Sequence, residues 1–356
     1  MSQSDGLSAQ LGVCLVTGAA GFVGSNLVRT LLDRGVEVRA LVHRTPLAFE
    51  HPGLSTVKGG LEDPASLSAA CRGVDTVFHT AAAIALLGGK HVTSAYRDAA
   101  WRVNVTGTER LIEACRANAV QRLVYTSSVD VCFDGSPCAD MDQRTPYAAR
   151  PASVYQETKI AAERQVLAAN GRDGLYTCAL RADGIYGQEP NIILDTVVEQ
   201  VALGRFKAGI GSADTLQDNT FVGNLVHGEI LAAQHLGPDG AASGKAYFIT
   251  DYAPQNTFEF LRPIIEGLGE KLPTLRIPRA LVRPVLELWQ TLHFRMGLPA
   301  PALTPHELDK VSVTHYASIA DAARDLGYQP VTPYAEAIAQ CLPYCKKVFA
   351  DVNARR

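Results

Sequence analysis

The segment Thr17-Gly-Ala-Ala-Gly-Phe-Val-Gly24 places the strongest constraint on how this chain can fold. It follows a short apolar stretch, Gly12–Thr17, that is predicted to be a strand, and it leads into a helical pattern from Gly24 to Arg34. Glycines in such a turn let the backbone approach a pyrophosphate, whose charge the positive end of the helix favours. The segment therefore predicts a dinucleotide site, and the alternative is a glycine-rich turn without a ligand.

The alternation of strands and helices continues beyond this segment. Apolar stretches predict further strands at Val36–Val42, Thr76–His79 and Arg122–Thr126. Helical patterns lie between them, near residues 64–72 and 96–119. Strands that alternate with helices in this way form a parallel sheet covered on both faces. The predicted fold class is therefore α/β, a doubly wound parallel sheet of the Rossmann type.

From about residue 189 the alternation becomes less regular, which predicts a smaller second region. The elements expected there are helices at 192–204 and 222–236 and a strand at 246–250. We assign residues 1–188 to a dinucleotide-binding domain, to which residues 215–250 return. Residues 189–214 and 251–356 are assigned to an interleaved C-terminal substrate region.

Composition narrows the class of protein. The 356 residues carry a formal net charge of −3 with both signs mixed, so no basic stripe indicates a nucleic-acid partner. No apolar run reaches the roughly 18 residues of a membrane span, and the polar start MSQSDGLSAQ lacks the pattern of a signal peptide. The eight cysteines form no C-x-x-C pair and are expected to be reduced packing residues. We therefore expect a cytoplasmic protein without a metal site.

The stretch Val154-Tyr-Gln-Glu-Thr-Lys159 puts a phenol and an ammonium on one side of a predicted helix. One turn separates Tyr155 from Lys159, and the same stripe continues to Ala162 and Val166, which are expected to be buried. An inward lysine needs a polar partner, and a fixed positive charge beside the tyrosine would ease the loss of its proton. The pair is thus a candidate acid/base group, and the alternative is a solvated lysine beside a packed tyrosine.

Two strand ends supply further candidates. Ser128 is expected at the carboxyl end of the sheet, where open α/β folds bind ligands, and it can hydrogen-bond a substrate oxygen. The second strand ends in Arg39-Ala-Leu-Val-His-Arg44, without the carboxylate that an NAD site usually supplies for the ribose. His43 and Arg44 are candidates for the 2′-phosphate of NADP, and a solvated arginine is the alternative. The sequence thus predicts an NAD(P) cofactor and favours NADP.

Together these segments resemble the extended short-chain dehydrogenases/reductases. The resemblance rests on TGxxGxxG at 17–24, HxAA at 79–82, Asn104 in RVNVTGT, the TSS serine Ser128 and YxxxK at 155–159. Within that superfamily the chain is most similar to the 3β-hydroxysteroid dehydrogenase branch, especially to sterol-4α-carboxylate 3-dehydrogenases. The similarity covers nearly the whole chain, including LRADGIYG and FVGNLVHGEILAAQHL.

The resemblance implies roles for particular residues, with Ser128, Tyr155 and Lys159 as the catalytic set. From the motifs and the resemblance, the candidate cofactor-binding residues are Gly18, Gly21, Phe22, Val23, Gly24, His43, Arg44, Ala81, Ala82, Asn104, Tyr155, Lys159, Ala182, Gly184 and Ile185. Asn104 is expected to brace the site, with an ordinary helix-end hydrogen bond as the alternative. The departures from the family pattern are Val42, Gly60, Ala182 and Gly223, of which the first two bear on the choice between NAD and NADP.

The resemblance also implies an activity: oxidation of a 3β-hydroxysterol to the 3-ketone, with decarboxylation of a 4-carboxysterol in sterol C4 demethylation. It implies a homodimer whose helices at 96–119 and 153–169 pair. Lys90 and His91 are candidates for holding the carboxylate, with solvated side chains as the alternative. Two other functions stay open: an NADP-dependent reductase of another lipidic or small-molecule ketone or aldehyde, and a non-catalytic dinucleotide-sensing protein. The complete Ser, Tyr and Lys set argues against the second.

The tail LVRPVLELWQTLHFRMGL, residues 281–298, combines large apolar residues with arginines. It is expected either to wall a sterol pocket or to make peripheral contact with a membrane surface. The alternative is a core-packing helix broken near Pro284.

Overall fold

The computed structural model describes residues 3–355. The strands are β1 (Cys14–Thr17), β2 (Val38–Val42), β3 (Leu54–Lys58), β4 (Thr76–His79), β5 (Arg122–Ser128), β6 (Cys138–Met141), β7 (Tyr176–Ala182), β8 (Ile185–Tyr186), β9 (Gly209–Ile210), β10 (Thr220–Phe221), β11 (Ala246–Ile249), β12 (Arg276–Ile277) and β13 (His315–Ala317). The helices are α1 (Gln3–Leu11), α2 (Phe22–Asp33), α3 (Pro64–Cys71), α4 (Ser94–Trp101), α5 (Gly107–Ala117), α6 (Val154–Ala168), α7 (Ile192–Ala202), α8 (Val222–Gln234), α9 (Thr257–Gly267), α10 (Arg279–Met296), α11 (Pro305–Ser312), α12 (Ala320–Leu326) and α13 (Tyr334–Ala354).

A seven-stranded sheet in the order β11-β7-β5-β4-β1-β2-β3 forms the centre of the fold. Every neighbouring pair in it is parallel, because each strand is joined to the next by a crossover connection. The chain proceeds outward from β1 to β3 and then crosses to β4 on the other side of β1. This reversal opens a crevice at the carboxyl ends of β1 and β4, where folds of this kind bind ligands. The predicted α/β fold class is confirmed.

Helices cover both faces of the sheet. The core on one face contains buried residues of α2 and α8, including Leu27, Leu31 and Ile230. The core on the other face contains residues of α3, α5 and α6, such as Leu67 and Val166. Burial of these apolar side chains fixes the helices against the sheet, each contributing about 1.5–3 kcal/mol.

The second half of the chain is interleaved with the first. Its strand β11 extends the central sheet beside β7, while three short parallel pairs, β10 with β8, β12 with β9 and β13 with β6, lie outside that sheet. A separate core joins α7, α9 and α13 around Tyr186 and Phe260, whose rings meet edge to face at 4.9 Å. The division into a dinucleotide-binding domain and a substrate region remains a proposal.

The structure corrects the interpretation of the tail at 281–298. Helix α10 is continuous across Pro284, and it has no buried residue. The core-packing alternative is therefore wrong. Among the described residues, no helix is both long and apolar enough to cross a lipid bilayer. All eight cysteines are free, and seven of them are buried.

Candidate active site

The glycine segment forms a tight cradle between β1 and α2. Gly18 has φ +67°, and a Cβ there would lie 2.8 Å from the backbone of Ala81. A Cβ on Gly24 would lie 2.2 Å from the carbonyl oxygen of Gly18, and one on Gly21 would lie 3.1 Å from the same atom. Only glycine fits at the first two positions, so the backbone can come close to a ligand at the positive end of α2.

A cavity of about 990 Å³ runs along the carboxyl ends of the central strands. It is lined by these predicted residues: Gly18, Gly21, Phe22, Val23, Gly24, His43, Ala81, Ala82, Ser128, Tyr155, Lys159, Ala182, Gly184 and Ile185. Arg44 and Asn104 are the predicted residues that do not line it. Segments that lie far apart in the sequence thus meet around one space large enough for a dinucleotide and a second ligand.

His79 holds β4 against its neighbours and is not exposed to the cavity. Its Nδ1 lies 2.7 Å from the hydroxyl of Thr17, and its Nε2 lies 2.9 Å from the hydroxyl of Thr108. Burial, together with the nearby Lys159 ammonium, lowers the pKa of His79 to about 3. The imidazole is therefore neutral and serves as a structural link.

Asn104 lies in a wide turn of π-helix, Arg102–Thr106, between α4 and α5. The sequence predicts a single helical stretch over 96–119, and this wider turn interrupts it. The Asn104 amide accepts a hydrogen bond from the Ala83 N–H at 2.6 Å and donates to the Ala83 carbonyl and the Thr158 hydroxyl, both at 2.9 Å. These bonds brace the loop after β4 against α6. Turns of π-helix like Arg102–Thr106 are frequent at functional sites.

Helix α6 carries the tyrosine and the lysine, and the Ser153 hydroxyl caps its first turn. Lys159 is 2% exposed, and Ala162 and Val166 are fully buried, so the predicted inward stripe is confirmed. The partners of the ammonium differ from the expected one. Lys159 Nζ donates to the carbonyl of Thr126 at 2.5 Å and lies 4.1 Å from the ring centroid of Tyr125. Burial lowers the pKa of Lys159 to about 7, although Glu163 and Asp130 act in the opposite direction.

Tyr155 and Ser128, two of the candidate catalytic residues, lie together on the cavity wall. Burial raises the pKa of Tyr155, the carboxylate of Asp130 raises it further, and a hydrogen bond with Ser128 lowers it. The raised pKa of Tyr155 is opposite to the easing of proton loss that was expected from the lysine. Ser128 Oγ accepts a hydrogen bond from the Asp130 N–H at 3.2 Å, which orients the hydroxyl at the end of β5. A bound oxygen atom at this place would meet two hydroxyl groups.

The end of the cavity away from Ser128 lies beside β2. His43 lines it there, next to Gly60, and a Cβ on that glycine would lie 3.3 Å from the imidazole carbon Cδ2. Arg44 is exposed, and Arg39 is directed away, because its guanidinium binds the carbonyls of Ala70 and Arg72. The role proposed for Arg44 therefore depends on a long side chain reaching in from solvent.

Sequence reasoning missed the charged groups Asp130, Asp183, Glu307 and Lys310 on the cavity wall. Asp130 and Asp183 follow β5 and β7, while Glu307 and Lys310 belong to α11. A signal for α11 was present, since Thr304-Pro-His-Glu307 is a capping box with proline at the first helical position. No local signal indicated that this helix would lie beside the catalytic candidates.

A second missed feature is the segment from Glu189 to Ile193, which lines the cavity beside the first turns of α2. Pro190, Asn191 and both isoleucines line the cavity. Glu189 binds the first turns of α2 through Arg29, through Ser25 Oγ at 3.3 Å and through Asn26 Nδ2 at 3.4 Å. The segment is thus fixed to the helix that the glycine cradle opens.

Lys90 and His91 lie elsewhere. They line a separate cavity of about 580 Å³ between α10, α11 and the loop after β4, together with Gln290 and His306. The structure does not bring them to Ser128 and Tyr155.

The fold and the site define the class of this protein: a dinucleotide-binding oxidoreductase of the short-chain dehydrogenase/reductase type. Residues 15–279 match the profile of the 3-beta hydroxysteroid dehydrogenase/isomerase family. The chain belongs to that family, which confirms the resemblance seen in the sequence.

Relatives and solved structures agree with this assignment. The chain is 48% identical over 347 residues to a 3 beta-hydroxysteroid dehydrogenase/Delta 5-->4-isomerase of Mycobacterium tuberculosis, covering 98% of this chain and 94% of that one. It is 35% identical over 330 residues to the sterol-4-alpha-carboxylate 3-dehydrogenase, decarboxylating, of Mus musculus, covering 91% and 88%. Among solved structures, MoeE5 in complex with UDP-glucose and NAD is similar with a TM-score of 0.70 and 27% identity, covering 94% of this chain and 99% of that one.

Proposed function

We propose that this protein oxidises the 3β-hydroxyl group of a steroid to the 3-ketone with a nicotinamide dinucleotide. The observation that carries the proposal is the meeting of Ser128, Tyr155 and Lys159 with the glycine cradle around one cavity. A Cβ at Gly18 or Gly24 would clash with neighbouring backbone atoms, so glycine at both positions permits the tight turn that typically binds a pyrophosphate in such folds. The names of the relatives support the steroid as the substrate.

The residues of the site suit this reaction. Ser128 and Tyr155 would bind the C3 oxygen, and Tyr155 would take its proton. When bound, the nicotinamide supplies a hydride acceptor. The Lys159 ammonium, which Thr126 and the ring of Tyr125 hold in place, would bind the ribose and stabilise the negative charge on Tyr155.

Decarboxylation would follow if the substrate carries a carboxylate at C4. Oxidation must come first, because only a carboxylate beside a ketone can pass its electrons into an enolate on loss of carbon dioxide. Ser128 and Tyr155 at the ketone oxygen would stabilise that enolate. The decarboxylating relatives at 35% identity support this step. The relatives at 48% are named as isomerases as well, which favours a shift of a ring double bond after oxidation as a second candidate step.

We propose NADP as the preferred cofactor, since Val42 and Gly60 stand where carboxylates would bind the ribose of NAD. Arg44→Ala is then expected to weaken NADP binding more than NAD binding, whereas an exposed arginine elsewhere, Arg34→Ala, should change neither. Equal losses for both cofactors in the Arg44 variant would remove this arginine from phosphate binding.

We also propose that α10 binds a lipid surface through an exposed apolar face. Leu281, Val285 and Leu288 share one face of this helix and are 59–66% exposed. The helix is joined to the loop that walls the cavity, since Gln290 Nε2 donates to the Gly88 carbonyl at 2.6 Å. Exposed Lys90 and Arg295 near this face suit anionic headgroups. A steroid dissolved in a membrane would thereby meet the enzyme close to the cavity.

We also propose that two copies of the chain associate through α4, α5 and α6. A cytoplasmic location is proposed from the eight free cysteines, which suit a reducing compartment.

The decisive experiment incubates the purified protein with three 3β-hydroxysteroids, each with NAD and with NADP. The substrates are one without a C4 substituent, one with a 4-methyl group and one with a 4-carboxyl group. Reduced cofactor is followed by absorbance and the products by mass spectrometry, while ultraviolet absorbance of a conjugated enone detects the double-bond shift. Carbon dioxide from the 4-carboxy substrate supports decarboxylation. Oxidation of all three without carbon dioxide leaves a hydroxysteroid dehydrogenase, and no reaction with any of them contradicts the steroid assignment.

A further inference from the structure

A buried group of charges lies beside the reactive tyrosine. We call it the Asp130 cluster; its members are Asp130, Asp183, His306, Lys310 and His315. Lys310 Nζ lies 3.0 Å from Asp130 Oδ1 and also binds Asp183, while His306 Nε2 lies 3.2 Å from Asp130 Oδ2 and His315 Nε2 lies 3.1 Å from Asp183 Oδ2. The carboxylates and histidines are at most 9% exposed and Lys310 is 20% exposed.

The cluster is built from four separate parts of the chain, one of which is β13 with His315. Asp130 lies in the turn after β5, and Asp183 follows β7, so both belong to the central sheet. His306 and Lys310 stand one turn apart on α11 and reach the sheet from the C-terminal region. Asp130 is fixed further by its own backbone, since its N–H donates to Ser128 Oγ and its carbonyl accepts from Gln156 Nε2 at 2.6 Å.

Three members of the cluster, Asp130, Asp183 and Lys310, line the same cavity as Tyr155. A carboxylate in this position opposes the formation of a tyrosinate, because two negative charges in a buried site repel each other. Burial raises the pKa of Asp130, but Lys310 and His306 outweigh burial and hold that pKa well below its usual value. Asp130 is therefore charged at neutral pH, and Lys310, with His306 beside it, compensates that charge.

We propose that Asp130 and Lys310 are positioning residues that together set the pH range in which Tyr155 accepts the substrate proton. Asp130 acts on the tyrosine through its charge, and Lys310 limits that effect by pairing with Asp130. Since Lys310 comes from α11, the electrostatic environment of Tyr155 is complete only when the C-terminal region is in place. The catalytic use of Tyr155 in this statement rests on the proposed function.

Other charged groups near Tyr155 do not share this arrangement. On its own helix Lys159 faces inward to the carbonyl of Thr126, and Tyr125 packs below that ammonium. From α11, Glu307 lines the cavity, but its carboxylate accepts from the N–H of Thr304 at 2.8 Å. Asp183 is directed to Lys310 and His315. Asp130 is the acid of this group whose charge acts on Tyr155.

The test measures the titration of Tyr155 directly, without turnover. The full chain is labelled with ¹³Cζ-tyrosine, the resonance is assigned with Tyr155→Phe, and the pH titration is followed by NMR. Asp130→Asn should shift the Tyr155 titration down by about one pH unit, and Lys310→Met should shift it up, because Asp130 then stands uncompensated. The double variant should return toward the parent. Asp134→Asn removes an equal charge from an exposed position of the same loop and should leave the titration unchanged.

The pH profile of kcat/KM with a 3β-hydroxysteroid is measured on the same proteins. The pH at which kcat/KM rises should move with the Tyr155 titration in each variant. A purely structural role would lower kcat/KM without moving that pH. Coincident titrations in parent, Asp130→Asn and Lys310→Met would overturn the proposal. If Lys310→Met does not fold, Asp130→Asn alone decides. A shifted titration without turnover of any 3β-hydroxysteroid would leave the electrostatic role intact and contradict the proposed function instead.

Discussion

Tyr155 is half-buried, forms a hydrogen bond with Ser128 and lies on the cavity wall. Replacing it by phenylalanine removes the hydroxyl and little else, so we expect oxidation of 3β-hydroxysteroids to fall by about 10²–10⁴-fold. Dinucleotide affinity, measured by fluorescence titration, should stay close to that of the parent. Lys159→Ala should lower both quantities, because the ammonium is expected to contact the ribose.

The matched control for this prediction is Tyr252→Phe, since Tyr252 is 53% exposed and is not one of the residues that line the cavity. It should behave as the parent in both measurements. Near-normal turnover in the Tyr155 variant would remove this residue from proton transfer.

At the scale of elements, α10 is an amphipathic helix whose apolar face has no cover in the monomer. Replacing Leu281 and Leu288 by glutamate places charges on that face, so binding to a lipid surface should fall tenfold or more, at roughly 2 kcal/mol for each apolar side chain. Co-sedimentation with vesicles of phosphatidylcholine, with and without phosphatidylserine, measures this. The parent should bind the anionic vesicles more strongly.

Val331→Glu is the control for α10, because Val331 is 58% exposed but lies outside that helix. Equal sedimentation of the parent and the double variant would contradict lipid binding through α10. Loss of self-association in the double variant, with no lipid binding by the parent, would assign the face to a second copy of the chain.

A second prediction at this scale concerns the contact of α8 with β5. Burial raises the pKa of Glu229 to about 7, although the hydrogen bond from the Thr126 hydroxyl acts against it. An unfolded glutamate has a pKa of about 4.3, so the folded state favours the protonated form. The resulting stabilisation is complete below the unfolded pKa and is lost as the pH rises through 7.

Glu229→Gln keeps a neutral group at this position. At pH 8 it should therefore raise the free energy of unfolding by about 1–3 kcal/mol, which is measured as a higher midpoint of thermal unfolding. At pH 4, below the unfolded pKa, parent and variant should be nearly equal. Glu270→Gln, at an exposed position after α9, serves as the control and should show no such pH dependence. An equal offset at both pH values would show that Glu229 does not titrate in this range.

At the scale of the whole molecule, we expect a homodimer formed by α4, α5 and α6 of two copies. Trp101 on α4 is 36% exposed, and Glu109 and Glu113 on α5 are exposed as well. Light scattering after size exclusion at micromolar concentration should give the mass of two chains. Trp101→Glu should shift it to one chain, because a charge in a contact of this kind is costly to bury. A parent of monomeric mass would contradict the dimer.

Local sequence patterns determined a large part of this protein. The spacing of glycines at 17–24 follows from the close approach of backbone segments, and the four-residue spacing of Tyr155 and Lys159 follows from one helical turn. Both patterns can be seen in a short window of sequence. The same holds for buried strands such as Thr76–His79, which the structure reproduces with the predicted bounds. Strand β3 was missed because it lies at the sheet edge and none of its residues is buried.

The tertiary structure alone decided which charges surround Tyr155. Asp130 and His306 are 176 positions apart, and Asp183 and Lys310 are 127 apart, yet all four meet in one buried cluster. The partner of Lys159 was also decided there, since the carbonyl of Thr126 comes from another strand. Periodicity describes only the face of a helix or strand that is buried, whereas the identity of the group packed against that face depends on how distant elements are placed. The candidate catalytic pattern is therefore encoded locally, and its electrostatic environment is not.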